Sequence, residues 1–300
     1  MQTGKIIKSN SGFYDVQTAN QEIIRTRARG NFRQKKIKPI VGDWVEFEND
    51  YLLKIKPRKN EVVRPLIANV DQALVVITAV EPQFSTNLLD RFLVVLTAQK
   101  IKPLIYLSKI DLTPKQQQTQ LIEQLKYYQS CGYQVFISNE VKQNPQSLIA
   151  ALDNKETVLA GQTGAGKSTL LNHLIPNLNL ETGSISTSLN RGKHTTRMVT
   201  LYSFHKGLIA DTPGFSSLTL QNITRENLPQ LFPDFVSLKD KCKYRSCVHL
   251  NEPDCAVKQA VDSGKIMNSR YLNYCQFQAE IAQERPVYLK TDKRSKKNNG

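Results

Sequence analysis

Residues 156–171 read Glu156-Thr157-Val158-Leu159-Ala160-Gly161-Gln162-Thr163-Gly164-Ala165-Gly166-Lys167-Ser168-Thr169-Leu170-Leu171. Thr157 to Ala160 form a short apolar run suited to a strand covered on both faces, and after Ser168 the pattern turns helical through Leu170, Leu171 and Leu174. Between them, Gly161 to Ser168 has the spacing G-x-x-x-x-G-K-[ST] of a phosphate loop. Such a loop turns several backbone N–H groups toward one phosphate in dihedrals that side chains resist, and Gly161, Gly164 and Gly166 meet that need. The helix beginning near Lys167 points its positive dipole end at the same place. Lys167 adds a charge for the β- and γ-phosphates, and the Ser168 hydroxyl suits Mg²⁺. Gln162, Thr163, Ala165 and Thr169 complete the segment expected to line the nucleotide.

Outward from the loop the pattern is α/β. Upstream, 72–78 reads as a buried parallel strand, 87–99 as a helix and 102–107 as a strand running into Ser108-Lys109-Ile110-Asp111. Ligands in open α/β sheets bind at the carboxyl ends of strands. Asp111 in such a place would accept from the N1–H and exocyclic amine of guanine, a donor pair adenine does not present. A helix over 115–130, a strand over 134–137 ending at Ser138-Asn139, and a helix over 146–152 follow. Downstream, 207–210 forms a strand ending in Asp211-Thr212-Pro213-Gly214, where Asp211 would organise Mg²⁺ and the Gly214 N–H would approach the γ-phosphate. Singly these tetrapeptides are ordinary turns. Together they match the sequence blocks of GTP-binding switch proteins, with the base-reading block moved ahead of the phosphate loop. The chain therefore reads as a circularly permuted P-loop GTPase domain, an arrangement that surface termini lying close together tolerate. Permutation attaches whatever follows Gly214 directly to the segment that senses the γ-phosphate.

Residues 1–62 contain short alternating segments separated by Gly, Asn and Asp, the pattern of a five-stranded β-barrel. Arg25, Arg27, Arg29, Arg33, Lys35, Lys36 and Lys38 form a basic run with Phe32 at its middle. Solvated charge runs are common, but the whole chain carries a net charge of +15, which favours a polyanionic partner. Phosphates on the run, with a base stacked on Phe32, would suit RNA. No stretch reaches the length of a membrane span, the first residues lack a signal-peptide core, and the protein is expected to be cytoplasmic, monomeric and without a membrane partner. Expected domains are 1–62 (barrel), 63–221 (permuted GTPase) and 222–300 (zinc-binding, with a basic tail over 290–300).

Cys242, Cys247, His249 and Cys255 supply three thiolates and an imidazole in a short segment. Soft ligands without a carboxylate indicate a closed structural Zn²⁺ site, although the spacing differs from common fingers and reduced buried thiols are the alternative. Cys131 and Cys275 read as core cysteines, Cys275 on a face shared with Leu272 and Ala279.

At this point the chain resembles the RsgA family of bacterial, circularly permuted GTPases. The resemblance is carried by Arg27-Ala28-Arg29-Gly30 and Val41-Gly42-Asp43-Trp44-Val45 in the barrel, the permuted block order, and Cys242-x4-Cys247-x-His249-x5-Cys255 with Glu252-Pro253 inside it. It implies an oligonucleotide-binding (OB) type barrel, and GTP hydrolysis to GDP stimulated by the small ribosomal subunit. It also implies a part in that subunit's late maturation through its rRNA, and departure after hydrolysis. Two positions depart from the pattern. Ser108 replaces the usual Asn, which predicts lower nucleotide affinity with guanine choice retained through Asp111, and Ser138-Asn139 only partly matches the next block. In the expected mechanism Lys167 holds phosphate, while Ser168 and Thr196, in preference to Thr195, ligate Mg²⁺ with Asp211. Phe215 stands where many switch GTPases place a water-positioning Gln, so intrinsic turnover should be slow. His194 is the local candidate for that task, and the resemblance points to the same residue. Loss of the γ-phosphate is expected to release the loops over 191–218 and to shift the zinc unit relative to the barrel. Two rivals remain: a P-loop ATPase or kinase with another anionic partner, and an RNA-binding scaffold that holds nucleotide with little turnover.

Overall fold

The structure, a computed structural model, describes residues 1–30, 32, 37–63, 65–178, 180, 199–211 and 218–283. Its first five strands are β1 (Gln2–Asn10), β2 (Phe13–Thr18), β3 (Ile23–Ala28), β4 (Trp44–Glu48) and β5 (Tyr51–Ile55). They pair in the order β1-β2-β3-β5-β4, and β4 returns to β1, closing an OB-like barrel. Ile6, Val16, Val45, Phe47 and Leu52 point inward and are buried, as the alternation requires. Phe32 is buried with them, so its ring is not available to stack on a base. The sequence reading placed it at the middle of the basic run as a stacking surface; the structure buries it in the core.

A hairpin of β6 (Glu61–Val63) and β7 (Leu66–Ala68) leads into the second sheet. There the elements are β8 (Gln72–Thr78), α1 (Thr86–Ala98), β9 (Lys102–Ser108), α2 (Lys115–Ser130), β10 (Gln134–Ile137), α3 (Ser138–Gln143), α4 (Gln146–Leu152), β11 (Glu156–Ala160) and α5 (Lys167–Leu174). Next come β12 (Thr200–Phe204) and β13 (Gly207–Asp211). The strand order is β10-β9-β8-β11-β13-β12, parallel apart from the β12–β13 hairpin. Strands β8 to β10 precede β11 in the chain yet lie to one side of it, which is the permutation in three dimensions. β8 is buried along its whole length, as the continuous apolar run predicts for a strand covered on both faces. Helix α3 begins at Ser138, directly after the strand read over 134–137.

The barrel joins this sheet through β1 and β12, with Lys8 opposite Thr200. Lys5 of β1 is ion-paired with Glu156 at the start of β11, and the Gln17 amide donates to Ser203 Oγ at 3.1 Å. The C-terminal part is mostly helical: α6 (Pro233–Val236), α7 (Ala256–Asp262) and α8 (Asn268–Gln283), with short 3-10 turns at Leu228–Leu231 and Lys239–Lys241. On α8 the buried residues are Arg270, Asn273, Tyr274, Phe277 and Gln278, while Leu272 and Ala279 are exposed. Cys275 is therefore half-buried at the edge of the packed face, and the face read from Leu272 and Ala279 is the outer one.

Candidate active site and metal centre

The parallel strands β8, β9, β10, β11 and β13 all end at one edge of the sheet, and the phosphate loop leaves β11 at its centre. Gly161 has φ of 137°, and a Cβ there would come within 2.2 Å of the Val76 carbonyl oxygen. Only glycine lets the loop lie this close against β8. Gly166, with φ of 91°, starts α5 in the left-handed region. Lys167 Nζ donates to the carbonyls of Gly161 at 2.8 Å and Gln162 at 2.7 Å, folding the ammonium into the turn of the loop. Ala165 is buried, Gln162 and Ser168 are half-buried, and Thr163, Gly164 and Thr169 are exposed. The loop is thus braced from below and open above, as phosphate access demands.

The base-reading elements sit beside it. Ser108 is buried, and its hydroxyl donates to the Ala165 carbonyl at 2.6 Å, with the Ile77 carbonyl at 3.0 Å. Although a serine is shorter than the usual Asn, it still ties β9 to the phosphate loop. Lys109, at φ of 56°, donates to the Glu81 carbonyl at 2.6 Å and so pins the β8–α1 loop. Asp111 keeps 43% of its side chain exposed and meets only Lys142 Nζ, at 3.4 Å, among the described residues. Ser138 Oγ is buried with no hydrogen-bond partner among the described residues. The 3-10 turn carrying Asp111 contacts the helix that Ser138 begins, and the exposed carboxylate of Asp111 is an acceptor of the kind a guanine edge needs. His194, Thr195, Thr196, Gly214 and Phe215 lie outside the described residues. Of Asp211 the position is known: it ends β13, paired in register with Thr200.

Cys242, Cys247, His249 and Cys255 converge, with all ligand atoms within 4.8 Å of one another. His249 Nδ1 lies 3.6, 3.4 and 3.3 Å from the three sulfurs. A tetrahedral Zn²⁺ with Zn–S of about 2.3 Å and Zn–N of about 2.0 Å has N···S edges of about 3.5 Å, so the cluster fits that ion. Burial pushes the Cys247 thiol up to about 12 and raises Cys255; thiolates here need a cation beside them. The loop between Cys247 and Cys255 is organised by Glu252, whose carboxylate accepts from Val248 N–H at 2.9 Å and Leu250 N–H at 2.8 Å. Tyr271 Oη donates to the His249 carbonyl at 2.8 Å, and Tyr274 Oη to that of Val248.

On the barrel, Phe13 takes the aromatic place that Phe32 does not. Its ring lies 4.6 Å from both the Arg25 and the Arg27 guanidinium, and Arg29 lies 6.0 Å from the ring of Tyr51, which is exposed. Beside them a cavity of about 410 Å³ opens between Gly12, Tyr14, Ala28, Phe32, Ile37 and Lys38. Arg33, Lys35 and Lys36 lie outside the described residues.

A third group of residues escaped the sequence reading. Arg270 is buried and pairs with Asp90 of α1 and with Asp234 of α6. Asp90 also accepts from Tyr128 Oη at 2.9 Å and Asn273 Nδ2 at 2.7 Å, and Tyr127 Oη donates to Asp234 at 2.8 Å. Burial raises the Asp90 carboxyl, against the pull of Arg270 and its other donors. Despite its own burial, Arg270 is held charged by Asp90 and Asp234. The network joins the zinc unit to α1 and α2, so any displacement of that unit carries these helices or breaks the network. The signal available in the sequence was one acid, Asp90, inside the apolar stretch of α1; such a charge is buried only with a partner.

Comparison with known proteins agrees with this geometry. Residues 55–221 match the family described as RsgA GTPase, and residues 3–52 the one described as RsgA N-terminal domain. "Small ribosomal subunit biogenesis GTPase RsgA" of Latilactobacillus sakei subsp. sakei (strain 23K) is 53% identical over 300 residues, covering 97% of this chain and 100% of that protein. Its namesake in Limosilactobacillus reuteri (strain DSM 20016) is 53% identical over 297 residues, with the same coverage. Among solved structures, "YloQ, a circularly permuted GTPase" superposes with a TM-score of 0.80 at 43% identity, over 96% of this chain and 97% of that one. YjeQ from Thermotoga maritima gives 0.82 at 32% identity, over 95% and 99%. With one family matched across the nucleotide-binding sheet and relatives alike from end to end, the chain belongs to the RsgA GTPase family.

Proposed function

We propose that this protein hydrolyses GTP to GDP and phosphate on the small ribosomal subunit, whose maturation it assists, and that the subunit stimulates turnover. One observation carries the reading: phosphate loop, Asp111, Ser138 and Asp211 come from separate strands whose carboxyl ends share one edge of the sheet, as a guanine nucleotide site requires. In this reading the backbone of Gly161 to Ser168 and Lys167 hold the phosphates. Ser108 and Lys109 brace the base pocket, and Asp111 selects guanine with Ser138 beside it. Ser168, Asp211 and Thr196 hold Mg²⁺, which supplies charge neutralisation for the phosphates when bound. Gly214 approaches the γ-phosphate. His194 positions water in place of the residue that Phe215 cannot supply.

The Arg25–Phe13–Arg27 stack and its neighbouring cavity supply an RNA face, consistent with the net charge of +15. One Zn²⁺ on Cys242, Cys247, His249 and Cys255 holds the C-terminal fold. We take the chain as three units, 1–62, 63–221 and 222–300, acting as a monomer in the cytoplasm, where ribosomes are assembled and thiol ligands stay reduced. No helix among the described residues is long and apolar enough to cross a membrane.

Competition of GTP and ATP for the wild type, with Asp111→Asn as control, tests the site. GTP should win in the wild type and lose its advantage in the variant, because an amide in place of the carboxylate opposes a donor to guanine N1–H. Equal affinity of the wild type for GTP and ATP would remove the reading. His194→Ala should lower subunit-stimulated turnover and leave GDP affinity unchanged.

A further inference from the structure

Helix α1 carries a second charged residue at the seam with the zinc unit, next to Asp90. Arg91 makes a two-pronged pair with Glu280 of α8, with Nη1 to Oε1 at 2.7 Å and Nη2 to Oε2, and its guanidinium lies 4.7 Å from the Phe277 ring. Nη1 also donates to the backbone carbonyl of Leu218 at 3.4 Å. Leu218 is the first described residue after Asp211, and it is buried, as are Leu220 and Ile223. Leu218 thus lies in the core seven residues after Asp211 in sequence, and the side chain that meets its carbonyl is held from the zinc unit.

Glu280 holds the guanidinium by two bonds and Leu218 by one. The Glu280 bonds are short and the Leu218 contact is long for an N–H···O bond, so α8 fixes the guanidinium, and the guanidinium in turn reaches the chain at Leu218. The rest of the seam keeps α8 in register with α1. Asn87 Nδ2 donates to Asn273 at 3.1 Å and Gln276 at 2.9 Å, and the buried Asp90–Arg270 pair lies beside them. A planar fork with five donors serves a carboxylate and a carbonyl together; a lysine ammonium at the end of a flexible stem does not reproduce that geometry.

We propose that Arg91 is a positioning residue for hydrolysis: by holding the Leu218 carbonyl while paired to Glu280, it makes catalysis depend on the seating of α8, and so on the intact zinc unit. This rests on the GTPase reading above. Leu218 follows Gly214 by four residues in sequence, and displacement of an anchor costs rate more than affinity when the displaced groups act only in the transition state.

The test is steady-state GTP turnover of the full chain with purified small ribosomal subunits, together with GDP affinity and Tm, for the wild type, Arg91→Gln, Arg91→Lys, Glu280→Gln and the double variant Arg91→Gln/Glu280→Gln. Wild-type turnover comes first, because its absence removes the GTPase reading and is separate from any difference among variants. Arg91→Gln should lower kcat roughly tenfold or more with KM and GDP affinity within about twofold, as loss of positioning predicts. Arg91→Lys, which retains the charge and the fold, should show the same fall in kcat at near wild-type Tm. The double variant should be no slower than Arg91→Gln alone, since both changes cut one connection. Wild-type kcat in Arg91→Lys, or additive losses in the double variant, would overturn the proposal; if Arg91→Gln does not fold, Arg91→Lys decides.

Discussion

In the phosphate loop, the side chain that shapes the turn, Lys167, bonds carbonyls five and six residues away, and the backbone around it is set by glycines. In the seam between α1 and α8, Arg270 bonds Asp90 across 180 residues of sequence, and Arg91 bonds Glu280 across 189. The loop is specified locally and left open for a ligand. The seam is specified only by the tertiary fold, and its Asp90–Arg270 pair is closed to water. A local site keeps its shape when distant parts of the chain are disturbed, whereas a seam of buried charges fails as a unit when one member is removed, because each remaining charge is left without its partner.

The strongest way to break this contrast is at the metal. Cys255→Ser should abolish binding of one zinc per chain, read by metal analysis, and should remove hydrogen-exchange protection across α6, α7 and α8, since binding energy at such a site is folding energy. GDP affinity should change little, because no zinc ligand touches the loop. Loss of nucleotide binding on the same scale as loss of zinc would show that the two regions are not separable. Next in size is Arg270→Ala, which leaves Asp90 and Asp234 facing each other's empty partner and should cost about 3–5 kcal/mol of unfolding free energy in a denaturant titration. A loss below about 1 kcal/mol would mean that the network is not closed to water.

How far each region could be read from the sequence follows from the same contrast. Gly161, Gly166 and Lys167 announce the loop because their spacing is itself the geometry. The Cys242–Cys255 cluster was legible for the same reason. The strands β8 and β10 and the helix α4 also fall where hydrophobic pattern places them. Phe32 was misplaced because a basic run hides the one position that the barrel needs for its core, and Leu272 because an exposed leucine satisfies the helical period as well as a buried one. Asp90, Arg91, Asp234, Arg270 and Glu280 were not recognised at all, since no local pattern links residues this far apart. The catalytic set expected over 191–218 is legible as motif, but His194, Thr196 and Gly214 fall outside the described residues.

Two smaller effects sharpen the comparison. Ser108→Ala removes the hydroxyl that ties β9 to Ala165 and should weaken GDP binding by about 1 kcal/mol, roughly fivefold in Kd, by fluorescence titration. An unchanged Kd would mean that the loop needs no such tie. The smallest effect concerns Glu280, whose carboxyl is held below its ordinary value of 4.5, chiefly by the hydrogen bond from Arg91. Its contribution to stability is therefore present above pH 4.5 and is lost as pH falls through the lowered value, because the unfolded chain takes up the proton first. Glu280→Gln should flatten that part of the acid limb of the stability curve and leave the region near pH 7 almost flat. An acid limb unchanged from the wild type would remove the ionic role of this pair.

The most direct measurement of the central claim is the rate of GTP hydrolysis by the full chain with and without purified small ribosomal subunits. With Phe215 at the sequence position where many switch GTPases carry a water-positioning Gln, turnover alone should be slow, and addition of subunits should raise it by at least about tenfold, about 1.4 kcal/mol of barrier. Equal rates with and without subunits would contradict the account.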